Sequence, residues 1–246
     1  MIPRWPEGVG QVILPTVDST SLEAARQAPH IAGPTWFLGL EQTAAKGRRG
    51  RTWSNPAGNF AASLVYRPGG AIAHRALRSF VASLALQDAL IAATGRTEGL
   101  RLKWPNDVLL NGGKLAGILL ESGPSETLII GIGVNLRAAP TQAEVETGAV
   151  APVSLLSETG TDITPEAFLD LLAPAFAAVE AQFLTYGFDA VRTRWLANAA
   201  KLGEPIHART VTETHHGTFE TVDAEGQLVL RTAAGQRMIS AGDVFF

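Results

Sequence analysis

Apolar and polar positions along the first half of the chain follow the periods of strands and helices in turn. Short apolar runs predict strands at residues 35–40, 60–66, 101–103, 107–110, 114–121 and 127–135. Helical spacing predicts helices at 20–27, where Thr20 and Glu23 match a capping box, and at 74–93. Asn111 and Gly112 predict a tight hairpin turn. Strands and helices mixed in this way predict an α+β domain around a mixed or antiparallel sheet with flanking helices.

The second half of the chain is predicted to continue with helices and then to change to short strands. Helices are expected at 153–158, 165–186 and 189–199, with Pro174 kinking or breaking the longest one. Residues 43–56 and 140–152 are predicted to be loops. Strands are expected at 206–211, 216–222, 227–231 and 237–239. We therefore expect two domains, residues 1–200 and 201–246, the second resembling an SH3-like barrel in its strand spacing.

Composition and charge exclude several classes of function. The 246 residues are 46% hydrophobic and 17% charged, which is typical of a globular chain that can bury a core. A formal net charge of −3 argues against electrostatic binding to nucleic acid or to an anionic membrane. The chain has no cysteine, which excludes a disulfide, a thiolate metal site and a cysteine nucleophile. Without a recognisable signal peptide or membrane span, we expect a soluble, cytoplasmic protein.

The segment 46–53 is the first candidate for chemistry. Lys46, Arg48, Arg49 and Arg51 lie within six residues and are interrupted by two glycines. Glycine lets backbone N–H groups approach an anion, and arginine offers a planar fork for phosphate or carboxylate oxygens. A solvated basic loop or a nucleic-acid patch is the alternative, but the aromatic Trp53 favours a small-molecule site.

Polar residues near a predicted hairpin form the second candidate. Lys103, Asn106 and Asp107 lie where one strand gives way to the next, and Lys114 begins the strand after the turn. A lysine at the start of a strand is usually a surface residue, so Lys114 alone would not predict catalysis.

Two further short segments join the candidates. Alternating glycines at 131–133 indicate a close approach to the backbone, either by another strand or by a ligand base. Asn135, at the end of that strand, could contact a nucleobase edge. Residues 18–21, Asp-Ser-Thr-Ser, begin the first helix; capping explains them, and hydroxyl contacts to a small polar ligand are the alternative.

Taken together, these segments resemble the biotin–protein ligase family, whose members are biotin–acetyl-CoA-carboxylase ligases. The family motifs occur in the family's order at residues 18–21, 42–53, 103–107 (KWPND), 114–121 (KLAGILLE) and 131–135 (GIGVN). The resemblance implies the class II synthetase-like biotin/lipoate ligase fold with a small C-terminal β domain. Because 17 residues precede the first motif, we expect the ligase-only type, without an N-terminal DNA-binding domain and without DNA as a partner.

The resemblance also implies a two-step reaction. The biotin carboxylate attacks the α-phosphate of Mg-ATP, which releases pyrophosphate and forms biotinyl-5′-AMP. A lysine of a biotin carboxyl carrier protein domain then takes the biotinyl group. Since two anions must meet, fixed cations favour the first step. The catalytic residues that the resemblance implies are Lys114, Arg48, Lys103 and Asp107.

The resemblance assigns two overlapping sets of binding residues. The biotin-binding set is Ser19, Thr20, Gln42, Lys46, Arg48, Arg49, Trp53, Lys114 and Gly117. The set that binds ATP or the adenylate is Arg48, Arg49, Arg51, Asn106, Lys114 and Asn135. Mg²⁺ would be held through the ATP phosphates, and Asp107 would either orient Lys114 or contact the metal. Ala45 and Lys46 stand where the family has Gly-Arg, which predicts altered retention of the adenylate.

Two alternatives remain at this stage. A lipoate–protein ligase would share the fold, and a non-enzymatic nucleotide-binding module would use the basic loop alone. An exposed sheet edge could support a homodimer, although no residue pattern indicates one. We also expect the basic loop to be mobile without ligand and ordered over a bound adenylate.

Overall fold

A seven-stranded sheet forms the centre of the first 200 residues in the computed structural model, which describes residues 4–51, 53–124, 126–146 and 148–246. Thr52 and Thr147, which belong to the two predicted loops, therefore lie outside the described residues. The strands are β1 (Gly10–Val17), β2 (Thr35–Gln42), β3 (Phe60–Tyr66), β4 (Leu100–Lys103), β5 (Asp107–Leu110), β6 (Gly113–Ser122) and β7 (Leu128–Val134). Their order is β1-β2-β3-β7-β6-β5-β4. Only the β1–β2 pair is parallel among the named pairs of this sheet, so the predicted mixed sheet is confirmed.

Strand β1 is absent from the sequence prediction. It lies at the edge of the sheet, and most of its side chains are exposed, so its sequence GQVILPTV lacks a buried apolar face. Pro15 is tolerated because an edge strand does not need every backbone donor. The strand forms through backbone pairing with β2 rather than through burial of its side chains.

Helices pack over the sheet in the predicted places, with two differences. They are α1 (Thr20–Gln27), α2 (Ile72–Ala76), α3 (Arg78–Thr94), α4 (Leu155–Thr159), α5 (Pro165–Tyr186) and α6 (Phe188–Ala197). The single helix expected at 74–93 is divided at Leu77 into α2 and α3. Of the kink or break expected at Pro174, the break is wrong, because α5 continues through it as one helix; the kink stays a prediction. Packing against α3 and the sheet outweighs the hydrogen bond that proline removes.

Aromatic side chains fill the core between the sheet and these helices. Trp36 on β2 meets the ring of Phe176 edge-on, and Phe60 on β3 meets Phe168 in the same way. Trp195 is buried on α6 and donates to the Ser83 hydroxyl at 3.1 Å. Trp36 and Trp195 are thus packing residues, and the buried N–H of Trp195 has a partner.

Two helical segments are apolar and long enough to cross a membrane by length and composition alone. The segments are His74–Thr94, with a mean hydropathy of 1.4, and Pro165–Tyr186, with 1.5. The expectation that no segment reaches this length was therefore wrong. Their buried side chains belong to the core of the molecule, which explains their apolar composition.

A second, five-stranded antiparallel sheet follows after residue 204. Its strands are β8 (Pro205–Arg209), β9 (Thr214–Val222), β10 (Leu228–Thr232), β11 (Gly235–Ile239) and β12 (Asp243–Phe245), in the order β11-β10-β9-β8-β12. The predicted small all-β unit is confirmed. The sequence did not predict β12, which has three residues and pairs with β8. Trp104 joins the two sheets, because its indole N–H donates to the Gly226 carbonyl at 3.1 Å.

Candidate active site

A cavity of about 770 Å³ lies between the large sheet and the last strand of the small one. The start of α1, the basic loop at 46–51, strands β6 and β7, the 140–152 loop and β12 all contribute to its walls. Thirteen of the fourteen predicted site residues line this cavity: Ser19, Thr20, Gln42, Lys46, Arg48, Arg51, Trp53, Lys103, Asn106, Asp107, Lys114, Gly117 and Asn135. Arg49 does not line it, although its Nη1 lies 3.2 Å from Asp243 Oδ2 at the cavity wall. Motifs that are far apart in sequence therefore meet in one space.

Hydroxyl and amide groups form one polar end of the cavity. The backbone N–H and the hydroxyl of Thr20 both donate to Gln42 Oε1, at 2.9 and 3.2 Å. The Thr20 hydroxyl also lies 2.9 Å from Ser63 Oγ, which in turn lies 3.0 Å from Ser21 Oγ. This network orders donors and acceptors where a small polar ring could bind.

The predicted capping box at this end is wrong. The N-cap of α1 is Ser19 rather than Thr20, and its side chain makes no capping hydrogen bond. The Glu23 carboxylate accepts from Arg26 and Gln27 instead of reaching back to the N-cap. The Thr20 side chain thus serves the cavity network rather than the end of the helix.

Trp53 and two glycines form the floor of the cavity. Gly117 on β6 and Gly133 on β7 are register partners, and the Trp53 indole lies across both. A Cβ atom on Gly133 would lie 2.6 Å from the Trp53 ring, and one on Gly117 would lie 3.2 Å from it. The close approach expected at the alternating glycines is observed, but the group that approaches Gly133 is this chain's own indole, neither another strand nor a ligand base.

One carboxylate and two lysines meet at the centre of the cavity. Lys114 Nζ lies 2.7 Å from Asp107 Oδ1, and Lys103 Nζ lies 3.4 Å from Asp107 Oδ2. Strand β4 ends at Lys103 and β5 begins at Asp107, while Lys114 reaches Asp107 from β6. Asp107 and Lys103 are buried, whereas the Lys114 side chain is 30% exposed to the cavity. All three line the cavity, and Lys114 is the most accessible of them to a ligand.

Burial and charge act in opposite directions on these groups. Burial alone would raise the pKa of Asp107, but Lys114 and Lys103 outweigh it and hold that pKa below 3.8. Burial lowers the pKa of Lys103, with a further lowering from Lys114, and Asp107 opposes the shift. Asp107 is consequently a carboxylate at neutral pH, and it orients the Lys114 ammonium.

Arg48 connects the basic loop to the same centre through hydrogen bonds. Its Nη1 donates to Asn106 Oδ1 at 3.3 Å and to Asp243 Oδ1 at 3.1 Å, and both terminal nitrogens donate to the Gly242 carbonyl at 3.2 Å. Burial lowers the pKa of Arg48, and Asp243 and Asp107 counteract it. Asn106 is itself fixed by donating to the Ile118 carbonyl at 2.7 Å.

Asn135 presents an acceptor to the far side of the cavity. Its side-chain N–H donates to the Val153 carbonyl at 3.1 Å, and the residue is 2% exposed. Its Oδ1 has no hydrogen-bond partner within the part of the chain that the structure describes. A buried acceptor in this condition favours a ligand that brings a donor, such as an exocyclic amine.

Sequence reasoning missed three residues at this site. Ser63 lies in the fully buried strand β3, where a polar residue among apolar neighbours was the available signal. Asp243 and Glu146 contact the arginines of the basic loop from β12 and from the 140–152 loop. Nothing in the local sequence of either residue marks it, since each pairing is long-range.

The described carboxylates and histidines show how far the cavity could hold a metal without a nucleotide. Among the described residues there is no group of three or more His, Asp or Glu side chains placed to bind one ion. Both oxygens of Asp107 face ammonium groups. Of the two roles left open for Asp107, the geometry supports orientation of Lys114.

Comparison with known proteins adds a family to this geometry. The sequence profile described as the biotin/lipoate A/B protein ligase family matches residues 13–135, and that of the biotin protein ligase C-terminal domain matches residues 201–246. The chain belongs to the biotin/lipoate A/B protein ligase family. The profile of this ligase family thus covers every sequence motif that lines the cavity. The 140–152 loop and β12, which complete the cavity walls, lie outside it.

Individual members of the ligase family match nearly the whole chain. It is 56% identical to a biotin–[acetyl-CoA-carboxylase] ligase of Paracoccus denitrificans, over 95% of this chain and 99% of that one. It is 30% identical to the bifunctional ligase/repressor BirA of Bacillus subtilis, over 97% of this chain and 75% of that one. The solved biotin protein ligase of Aquifex aeolicus in complex with biotin and ATP has the same fold, with a TM-score of 0.82 and 24% identity over 96% and 97% of the two chains.

Proposed function

We propose that this protein is a biotin–protein ligase, which activates biotin with ATP and transfers it to a lysine of a biotin carboxyl carrier protein domain. One observation carries the proposal: a single cavity joins a hydroxyl–amide end, an indole floor and a cationic centre. These three parts suit the ureido ring, the apolar body and the carboxylate of biotin in that order. The 56% identity to a protein named as such a ligase supports the choice of substrate.

The first step would take place at the cationic centre. The biotin carboxylate attacks the α-phosphate of ATP, a bond to phosphorus forms, and pyrophosphate leaves with the electron pair of the broken P–O bond. Lys114 and Arg48 would neutralise the two anions that approach each other, and Asp107 would hold Lys114 in place. Lys103 would add positive charge from behind Asp107. Asn106 would orient Arg48.

The binding roles follow from the same geometry. Ser19, Thr20 and Gln42 would bond the ureido ring, and Trp53 over Gly117 would pack against the rest of biotin. Arg49 and Arg51 would attract the phosphates of ATP, and the free acceptor of Asn135 would receive the adenine amine. Lys46 would act from the edge of the cavity. In the second step the amine of the carrier lysine attacks the acyl carbon of biotinyl-5′-AMP, and AMP leaves.

The setting of this reaction is also part of the proposal. ATP would enter as its magnesium complex, with the ion held by the phosphates rather than by protein ligands. We propose a cytoplasmic enzyme that binds neither DNA nor membranes. The exposed edge strand β1 is the surface at which a homodimer could form.

Pyrophosphate release tests the proposal directly. Wild-type protein would be mixed with Mg-ATP and with biotin, lipoate or octanoate, and released pyrophosphate would be followed with time. We expect release with biotin alone and a loss of at least about 100-fold in Lys114→Ala. Arg101→Ala is the matched control, because Arg101 is an exposed cation on the neighbouring β4 whose recorded bond is to the Leu100 carbonyl.

Each other outcome has a definite meaning. Release with lipoate or octanoate in place of biotin would keep the fold and replace the substrate. Failure to release pyrophosphate with any of the three acids would favour a nucleotide-binding module. A Lys114→Ala variant as active as Arg101→Ala would remove Lys114 from the catalytic group while leaving the substrate assignment intact.

A further inference from the structure

Three arginines of the basic loop converge on one carboxylate of the small sheet. Asp243, the first residue of β12, lies 3.1 Å from Arg48 Nη1, 3.2 Å from Arg49 Nη1 and 3.0 Å from Arg51 Nη2. Its side chain is only 12% exposed. A carboxylate with this many charge-assisted contacts fixes the position of the loop that surrounds it.

A second carboxylate extends the network from another side. Glu146, in the 140–152 loop, lies 3.0 Å from Arg51 Nη2 and also pairs with Arg209 on β8. Arg209 Nη2 lies 3.9 Å from Asp243, which closes the network. Four guanidinium groups thus face two carboxylates. The excess of positive charge leaves the loop able to attract an anion even while it is anchored.

We propose that Asp243 and Glu146 are positioning residues that hold the arginine loop over the reaction centre. We call this pair the carboxylate anchor. The link to chemistry is Arg48, whose Nη1 contacts both Asp243 and Asn106 beside the Lys114–Asp107 pair. The small sheet thereby completes the active site instead of only packing against it. The expected effect on catalysis rests on the proposed function, whereas the expected effect on the position of the loop does not.

The physical argument is the repulsion that the anchor offsets. Four guanidinium groups within one network repel each other unless negative charge lies between them. Neutralising Asp243 removes the contacts of three of them at once, and the loop should then leave the cavity wall. Neutralising Glu146, whose side chain is 33% exposed, should have a smaller effect in the same direction, because solvent screens it more.

Limited trypsin digestion measures the anchor without using the enzymatic reaction. Cleavage after Arg48, Arg49 and Arg51 would be followed by mass spectrometry in wild type, Asp243→Asn and Glu146→Gln. We expect loop cleavage about tenfold faster in Asp243→Asn and about threefold faster in Glu146→Gln. Glu213→Gln is the matched control, because Glu213 pairs with Arg237 on the same sheet and is not among the cavity residues. It should be cleaved at the wild-type rate.

Steady-state kinetics then separate positioning from stability. In Asp243→Asn we expect kcat/KM for ATP to fall about tenfold at a temperature at which both proteins are fully folded, and Asp243→Glu to recover most of the loss because the charge is kept. Added pyrophosphate should slow loop cleavage more in Asp243→Asn than in wild type, since it replaces the missing negative charge.

Two results overturn the anchor. One is loop cleavage at the wild-type rate in both Asp243→Asn and Glu146→Gln, and the other is equal acceleration in Glu213→Gln. If Asp243→Asn does not fold, Glu146→Gln alone decides between these outcomes. The wild-type protein could release no pyrophosphate while its Asp243→Asn variant is cleaved faster at the loop. That result would support the anchor and reject the proposed ligase activity.

Discussion

At the scale of single residues, Asp107 is the group on which the cationic centre depends. It lies between two ammonium groups, one buried and one that reaches the cavity. Without it, Lys103 and Lys114 would repel each other in a region of low dielectric constant. The same carboxylate therefore stabilises the fold and fixes the direction of Lys114, and a substitution should affect both.

We predict that Asp107→Asn lowers the free energy of unfolding by about 3 kcal/mol at pH 7, because a buried charged group loses its partner. The lowered pKa of Asp107 determines the pH dependence of this difference. Asp107 binds its proton more weakly in the folded than in the unfolded chain, so its contribution is complete above pH 3.8 and is lost as pH falls through the lowered value. Urea unfolding of both proteins between pH 7 and pH 4 measures the difference.

The expected result is a difference that stays constant over that whole range. If it shrinks between pH 6 and pH 4.5, the carboxyl group titrates at or above its ordinary range, and the lysines do not dominate its environment. Asp162→Asn is a suitable control, since Asp162 pairs with Arg137 at an exposed site and should cost little at any pH.

At the scale of elements, three neighbouring strands form the floor on which Trp53 lies. Ala61 on β3, Gly133 on β7 and Gly117 on β6 are successive register partners. Small residues at these positions leave room for an indole, which a strand of ordinary side chains would exclude. The glycines are therefore a packing requirement of Trp53 and, through it, of the ligand that the indole would contact.

We predict that Gly133→Ala lowers the free energy of unfolding by about 2 kcal/mol, because its methyl group would meet the indole at 2.6 Å. Gly117→Ala should cost less, since its closest ring atom is 3.2 Å away. In a Trp53→Ala background the cost of Gly133→Ala should fall to within about 0.5 kcal/mol of zero. Urea denaturation of the four proteins in the Gly133–Trp53 cycle measures this coupling, and equal costs in both backgrounds would contradict it.

Most of the elements could be predicted from the sequence because their patterns report burial. The strand at 60–66 and the Asn111–Gly112 turn, where both residues have positive φ, match the structure. Strands β1 and β12 could not be predicted, because one is an exposed edge and the other has three residues. Pro174 misled the prediction of α5 because the packing that holds the helix together is formed by residues distant in sequence.

At the scale of the whole molecule, the site exists because two sheets meet. The motif residues could be found from sequence since each motif is continuous, and the structure brings all but Arg49 to the cavity. The carboxylate anchor could not be found, because Arg48 and Asp243 are separated by 195 positions and no local pattern joins them. The same anchor changes the expected behaviour of the basic loop toward large anions.

We predict that the wild-type chain binds duplex DNA more weakly than about 100 μM at 150 mM salt. Its net charge is −3, and Asp243 partly neutralises Arg48, Arg49 and Arg51, which leaves the loop able to attract a small anion but weakens its attraction for a long polyanion. Fluorescence anisotropy of a labelled duplex at 50, 150 and 200 mM salt measures both affinity and salt dependence. The Asp243→Asn/Glu146→Gln variant serves as the positive control, because releasing the arginines should produce detectable, salt-sensitive binding. Micromolar binding by wild type with a steep salt dependence would contradict the prediction and make the loop a nucleic-acid surface as well.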